Sequence, residues 1–175
     1  MTIHNDMIEN TSMETKLSAP SFINSIKGNY VSTLEENFQF NKKDLANKNI
    51  ILYFYPKDDT PGCTTQAIDF RNLYKDFSTT DTIILGVSRD DLKSHNNFTK
   101  KYALPFNLIC DTSEELCKQF DVIKDKKMYG KLIRGIQRST FFFNKEGKLV
   151  KEWRNVKASN HAEKLLNMIK NNELS

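Results

Sequence analysis

One cysteine stands where a strand-like run gives way to a helix-like one. Ile50 to Tyr55 (Ile-Ile-Leu-Tyr-Phe-Tyr) is uncharged, β-branched and aromatic, the pattern of a strand covered on both faces. Pro56 cannot donate to a strand ladder and should end it. Thr60 followed by Pro61 has the pattern of an N-cap and first helical residue, because proline fits where an amide is unpaired and its φ is already helical. Cys63 then falls in the first turn. Unpaired N–H groups and the positive end of the helix dipole favour a thiolate there, so the position suits a nucleophile. The competing structural reading is a small buried hydrophobe, a common fate of free cysteine. Cap, proline and first-turn position together favour chemistry.

Other cysteine chemistries fit less well. A thiol-disulfide exchange motif needs Cys-x-x-Cys, and the residue three after Cys63 is Gln66. A cysteine hydrolase needs a histidine base beside the thiolate. His4, His95 and His161 are scattered without ligand spacing, and each is expected to be a surface or capping residue rather than a metal ligand.

The elements that must position Cys63 follow from hydrophobic spacing. Ala67, Phe70, Leu73, Tyr74 and Phe77 define an amphipathic helix through residues 66–77. Residues 82–87 form a second buried strand, 90–102 a helix opening on acidic residues, and 106–110 a short strand. A helix from 112 to 120 should be capped by Thr112 or Ser113. Residues 121–137 are polar and basic with two glycines, and are expected to form a crossing loop. A hairpin over 138–153 and a terminal helix over 159–170 complete the chain. Upstream, 17–49 should hold short strands or a hairpin and a helical turn at 42–46. Residues 1–16 are aperiodic and polar, a mobile extension preceding one domain from 17 to 175. The expected fold class is α/β, a mixed central sheet flanked by helices on both faces. In open sheets of this kind function lies beyond the carboxyl ends of the strands, where Cys63 is placed.

Composition narrows the class. A chain of 175 residues, 38% hydrophobic and 27% charged, can bury a core without disulfides. The net charge of +4 is modest and spread along the chain, with no dense basic block, which speaks against nucleic acid. No apolar run approaches a membrane span, and the N-terminus lacks a secretory pattern, so a cytoplasmic protein with no membrane partner is expected. Three irregularly spaced cysteines do not form an extracellular disulfide framework.

Pro56-x-x-x-Thr60-x-x-Cys63 resembles the active-site motif of the peroxiredoxins. The longer run from Tyr53 to Thr64 is similar to the subfamily called bacterioferritin comigratory protein, or peroxiredoxin Q. Ala19-Pro20-Ser21-Phe22, Gly135-Ile136-Gln137-Arg138-Ser139-Thr140-Phe141, Trp153-Arg154-Asn155-Val156-Lys157 and His161-Ala162-Glu163 extend the likeness from about Leu17 to the end. The resemblance implies a thioredoxin-like fold and reduction of hydrogen peroxide and organic hydroperoxides by cysteine, without cofactor or metal. It makes Cys63 the peroxidatic cysteine. Thr60 would hydrogen-bond the peroxide, Pro56 would shield the thiolate from water, and Arg138 would stabilise thiolate and peroxide.

One departure matters. Many members of the subfamily carry a resolving cysteine five residues after the first, and here that position is Ile68. The usual intramolecular disulfide cannot form, so the sulfenic acid must be reduced another way. Cys110 and Cys117 are the possible internal resolving residues. The preferred expectation is a monomer whose oxidised Cys63 is attacked directly by thioredoxin, glutaredoxin or glutathione. The alternative from another class is a peroxide-sensing interaction protein using the same cysteine; a structural module that tolerates its loss is a third.

Overall fold

The structure, a computed structural model, describes residues 19–175. The expected extension over 1–16 and the first residues of the domain lie outside that range. Its centre is β2 (Asn49–Phe54), every residue of which is buried. Strand periodicity sends Ile50, Leu52 and Phe54 to one face and Ile51, Tyr53 and Tyr55 to the other, and each set enters a different hydrophobic cluster. Two-sided burial explains why the run contains no polar alternation.

Around β2 the chain lays down β3 (Thr82–Ser88) and β4 (Asn107–Cys110) in parallel, and on the other side β7 (Ser139–Phe143) antiparallel to β2 and β8 (Leu149–Arg154) antiparallel to β7. A two-residue edge strand, β1 (Val31–Ser32), closes the order β1-β4-β3-β2-β7-β8. Helices α1 (Pro61–Asn72), α2 (Tyr74–Thr79), α3 (Leu92–Tyr102) and α5 (His161–Lys170) contribute to the cluster on the Tyr53 face. The Phe54 face is covered by α4 (Glu115–Gln119) and the segment from Ala19 to Leu45 with its short 3₁₀ turns. Helices on both faces of a mixed sheet are thus present, four on one side and one short helix on the other.

Three local expectations need correction. The helix expected through residues 66–77 breaks at Leu73, whose φ of −101° and ψ of 5° leave helical values, and continues as α2. Asn72, a weak helix former, ends the first piece, while Phe70 and Phe77 still pack in one cluster. The cap of α4 is neither Thr112 nor Ser113. Glu114 takes a left-handed conformation with φ of 64°, and buried Asp111 accepts the amides of Leu116 (2.9 Å) and Cys117 (2.7 Å). Residues 121–137 are not a loop but a hairpin, β5 (Ile123–Met128) and β6 (Lys131–Ile136), paired with each other and with no strand of the central sheet. Tyr129 and Gly130, both at positive φ, make its two-residue turn. This hairpin holds Lys124, Lys126, Lys127, Lys131 and Arg134 against Asp125, so the chain's whole formal excess of +4 is concentrated there rather than spread.

The two described histidines are also not surface residues; His4 lies outside the described range. His95 is fully buried, and His161 is 7% exposed with Nε2 2.9 Å from Thr140 Oγ1. Burial, with Lys164 and Arg138 nearby, pushes the His161 imidazole down to about 4. The unfolded chain takes up a proton near pH 6.5 that the folded chain refuses until about pH 4. This contribution is therefore complete above pH 6.5 and lost as pH falls toward 4. Denaturant unfolding should show a loss on the order of 3 kcal/mol across that window from this residue. A His161→Gln protein should show a correspondingly flatter dependence, and identical slopes would remove His161 as the cause.

Candidate active site

The turn between β2 and α1 is fixed from several sides before it delivers Cys63. Tyr55 still pairs with β3, its amide 3.0 Å from the carbonyl of Val87. Pro56 follows, exposed at the strand end. Asp58 is buried and its carboxylate accepts from Tyr55 Oη (2.6 Å), Ser94 Oγ (2.8 Å) and His95 Nδ1 (2.7 Å). The Asp58 amide donates to Asp90 Oδ2 (2.9 Å), and His95 Nε2 lies 3.0 Å from the carbonyl of Ile109. Asp59, at φ of 57°, is held by Lys101 Nζ (2.8 Å) and Tyr102 Oη (2.9 Å). Asp58, Asp90 and His95 bring ligand-type atoms within 4.8 Å of one another. Every carboxylate contact described above goes to a protein donor, so the cluster acts as a hydrogen-bonded anchor for the loop.

Thr60 then adopts the extended conformation of an N-cap, and Pro61 opens the helix as the sequence predicts. The Thr60 carbonyl accepts the Thr64 amide at 2.8 Å. The hydroxyl does not cap, however: Thr60 Oγ1 donates to the carbonyl of Lys57 at 2.8 Å. With no cap from the Thr60 side chain, the amides and dipole of the first turn remain directed at the Cys63 end of the helix.

Cys63 is 2% exposed, packed in the cluster with Tyr53, Tyr55 and Ala67. Its sulfur receives Arg138 Nη2 at 3.6 Å, while Nη1 of the same guanidinium donates to Gln66 Oε1 at 2.8 Å. The sheet register makes this meeting possible. Ser139 pairs with Phe54, so Arg138 emerges beside the strand end that leads into the cysteine turn. The carbonyl of Arg138 is tied to the Val156 amide at 2.9 Å. Gln66 lies three residues after Cys63, on the same helix face. Gly62 completes the fit: a Cβ there would stand 3.0 Å from Arg138 Nη2.

Gln66 and Gly62 are the site residues that sequence reasoning missed. Gln66 was visible only as the residue occupying a would-be Cys-x-x-Cys position, and its full burial was the missing signal. Two buried donors nearby have no protein partner among the described residues, Tyr53 Oη and Gln66 Nε2. Burial first, then the charge of Cys63 and of Asp58, raises the Tyr53 phenol well above its usual range. A cavity of about 590 Å³ has Pro56, Gln137 and Arg138 along it and reaches Met128 of the β5–β6 hairpin.

The other two cysteines stand on β4 and α4. All three are free thiols. Cys117 is fully buried in the cluster on the opposite face of the sheet, and burial with Asp111 beside it pushes its thiol strongly up. Cys110 ends β4 and is half-buried. Burial and the carboxylates of Asp58, Asp91 and Asp90 push it up to about 11, which leaves little thiolate near neutral pH.

Comparison with known proteins agrees with this geometry. The AhpC/TSA family profile matches residues 18–152. Peroxiredoxin Bcp of Xanthomonas campestris pv. campestris is 51% identical over 121 residues, covering 69% of this chain and 76% of that protein. Peroxiredoxin Bcp of Bacillus subtilis is 50% identical over 127 residues, covering 73% and 81%. A solved structure of Xanthomonas campestris peroxiredoxin Q superposes with a TM-score of 0.78 at 41% identity, covering 87% of this chain and 96% of that one. The bacterioferritin comigratory protein of Xanthomonas campestris, studied as a trapped intermediate/ligand complex for its alkyl peroxide reduction activity, gives 0.79 at 39%, covering 90% and 99%. With its thioredoxin-like fold, its matched profile and a cysteine at the head of the helix, the chain belongs to the AhpC/TSA family and is a peroxiredoxin, a thiol-dependent peroxidase.

Proposed function

We propose that Cys63 is the peroxidatic cysteine and that the protein reduces hydrogen peroxide and organic hydroperoxides in a one-cysteine cycle completed by an external thiol. The observation that carries this reading is the guanidinium of Arg138, shared between Cys63 Sγ and Gln66 Oε1. A guanidinium stays charged and can contact sulfur and peroxide oxygen together, so it can align the two and stabilise the charge that develops between them.

In the first step the thiolate attacks one peroxide oxygen. The S–O bond forms as the O–O bond breaks, and the departing alkoxide or hydroxide takes a proton to leave as alcohol or water. Cys63 is left as the sulfenic acid. Negative charge grows on the leaving oxygen, so donors already in place lower the barrier. Arg138 and the first-turn amides of α1 are suited to that task. Thr60 Oγ1, whose proton is directed at Lys57 O, has lone pairs that can accept the hydroperoxide O–H. Pro56 lies along the cavity beside Arg138, and its ring limits water at the approach to the sulfur.

The second step uses a thiol from outside. Attack on the sulfenic acid releases water and leaves a mixed disulfide on Cys63, and a second thiol frees the cysteine by exchange. Ile68 offers no internal nucleophile, Cys117 is across the sheet, and Cys110 is held as a thiol. Thioredoxin, glutaredoxin and glutathione are the candidate reductants. The protein is proposed to act as a monomer in the cytoplasm; no helix among the described residues is long and apolar enough to cross a membrane.

Steady-state peroxide consumption with each reductant tests the assignment. Cys63→Ser should abolish turnover, and Arg138→Ala should reduce it about 100-fold, corresponding to a loss of about 3 kcal/mol of transition-state stabilisation. A folded Arg138→Ala protein with wild-type rate would remove the residue from the mechanism. Non-reducing mass spectrometry after peroxide and glutathione should find one glutathione on Cys63. The Cys110→Ser and Cys117→Ser proteins should turn over like wild type. A Cys63–Cys110 or Cys63–Cys117 linkage would contradict the one-cysteine cycle, and a single stoichiometric oxidation without turnover would contradict catalysis.

A further inference from the structure

The β5–β6 hairpin combines two properties that the peroxidase reaction does not require. Its fourteen residues hold the whole net positive charge of the chain. It also displays four of the seven exposed large apolar side chains among the described residues: Met128, Tyr129, Leu132 and Ile133. Tyr129, at the turn, is 98% exposed and Leu132 is 71% exposed. Burying such groups is the ordinary outcome, and grouping them at one projecting tip calls for a partner.

The charge is arranged in two layers. Near the root of the hairpin, Arg134 is bound to Glu114 through both guanidinium nitrogens, and Arg89 joins the same carboxylate. These two arginines hold the Glu114 carboxyl down to about 2. Lys124 pairs with Asp121 at 3.0 Å. Toward the tip, Lys126, Lys127 and Lys131 have no carboxylate partner among the described residues. The root cations therefore fasten the hairpin to the body, and the tip lysines are exposed on both faces of the hairpin around an apolar turn.

We propose that this tip docks the protein on an anionic lipid surface. Lysines that attract acidic headgroups, a tyrosine suited to the headgroup level and aliphatic side chains able to enter the acyl boundary are the components of peripheral membrane attachment. Nucleic acid accounts for less of the pattern. The arginine suited to phosphate is occupied by Glu114, and Met128, Leu132 and Ile133 are aliphatic where base stacking uses aromatic faces. An acidic reductant protein would match the charge but gives no reason for a fully projecting tyrosine. A lipid-surface partner departs from the expectation of no membrane partner, which considered only spanning segments. Met128 and Ile133 of this surface also line the cavity along which Pro56 and Arg138 stand. The strand separating tip from root is about 20 Å long.

Sedimentation of the full chain with lipid vesicles tests the proposal. Wild type should pellet with phosphatidylcholine–phosphatidylglycerol vesicles at low salt, be released at high salt, and stay in solution with phosphatidylcholine alone. Lys127→Ala/Lys131→Ala should bind about 25-fold more weakly, from about fivefold per lysine. Tyr129→Ser/Leu132→Ser should weaken binding at every salt concentration. Both variants should retain wild-type hydrogen peroxide turnover, which shows that they are folded. A Cys63→Ser protein should bind vesicles like wild type, so failure of the catalytic assignment is distinguishable from failure of this one. No pelleting with the acidic vesicles, or equal pelleting with neutral ones, would overturn the proposal. Preference for duplex DNA or for thioredoxin over the vesicles at the same salt would overturn it in favour of that partner.

Discussion

Everything chemical in this protein depends on bringing one guanidinium against one nearly buried sulfur. Arg138 and Cys63 are 75 residues apart and meet only because β7 pairs beside β2 in a register that sets Ser139 opposite Phe54. The contact is supported at each end. Gln66 fixes the far nitrogen of the guanidinium, Val156 fixes the backbone behind it, and Gly62 leaves the space it enters. An arginine is suited to the position because its planar fork serves two acceptors at once and stays charged.

The rest of the fold serves as a frame for that meeting. Large rings pack on both faces of β2, with Phe70 stacked on Tyr53 at a centroid separation of 4.7 Å. The loop after it gains order from Asp58, whose three donors come from its own strand end and from α3. Removing that carboxylate would leave His95 and Ser94 without their acceptor under the cysteine turn, a costly arrangement in a buried site. Rigidity at this loop is useful because the dipole and amides of α1 act on the sulfur only if its first turn stays formed.

Much of this was legible in the sequence. The β2 run, the Thr60-Pro61 helix start and the place of Cys63 follow from local rules, and the resemblance pointed to Arg138. What sequence hid was contact made across the sheet. Gln66 reads as a polar helix residue until its burial against Arg138 is known, and His95 reads as a surface residue until Asp58 is found beside it. The 121–137 segment failed for a different reason. Its strands are polar and pair only with each other, so they lack the apolar alternation by which a half-buried strand is recognised. Thr112 and Ser113 were credible caps by type, but the left-handed Glu114 moves the helix start beyond their reach and gives the task to Asp111.

The most direct test of the central contact leaves every reacting group in place and closes the space they share. In Gly62→Ala the added methyl would press on Arg138 Nη2 from 3.0 Å, while a helix position gains up to about 1 kcal/mol from the exchange. Single-turnover oxidation of Cys63 by hydrogen peroxide should then slow by about tenfold or more, in a protein at least as stable as wild type. An unchanged oxidation rate would show that the close approach of Arg138 is not what prepares the sulfur.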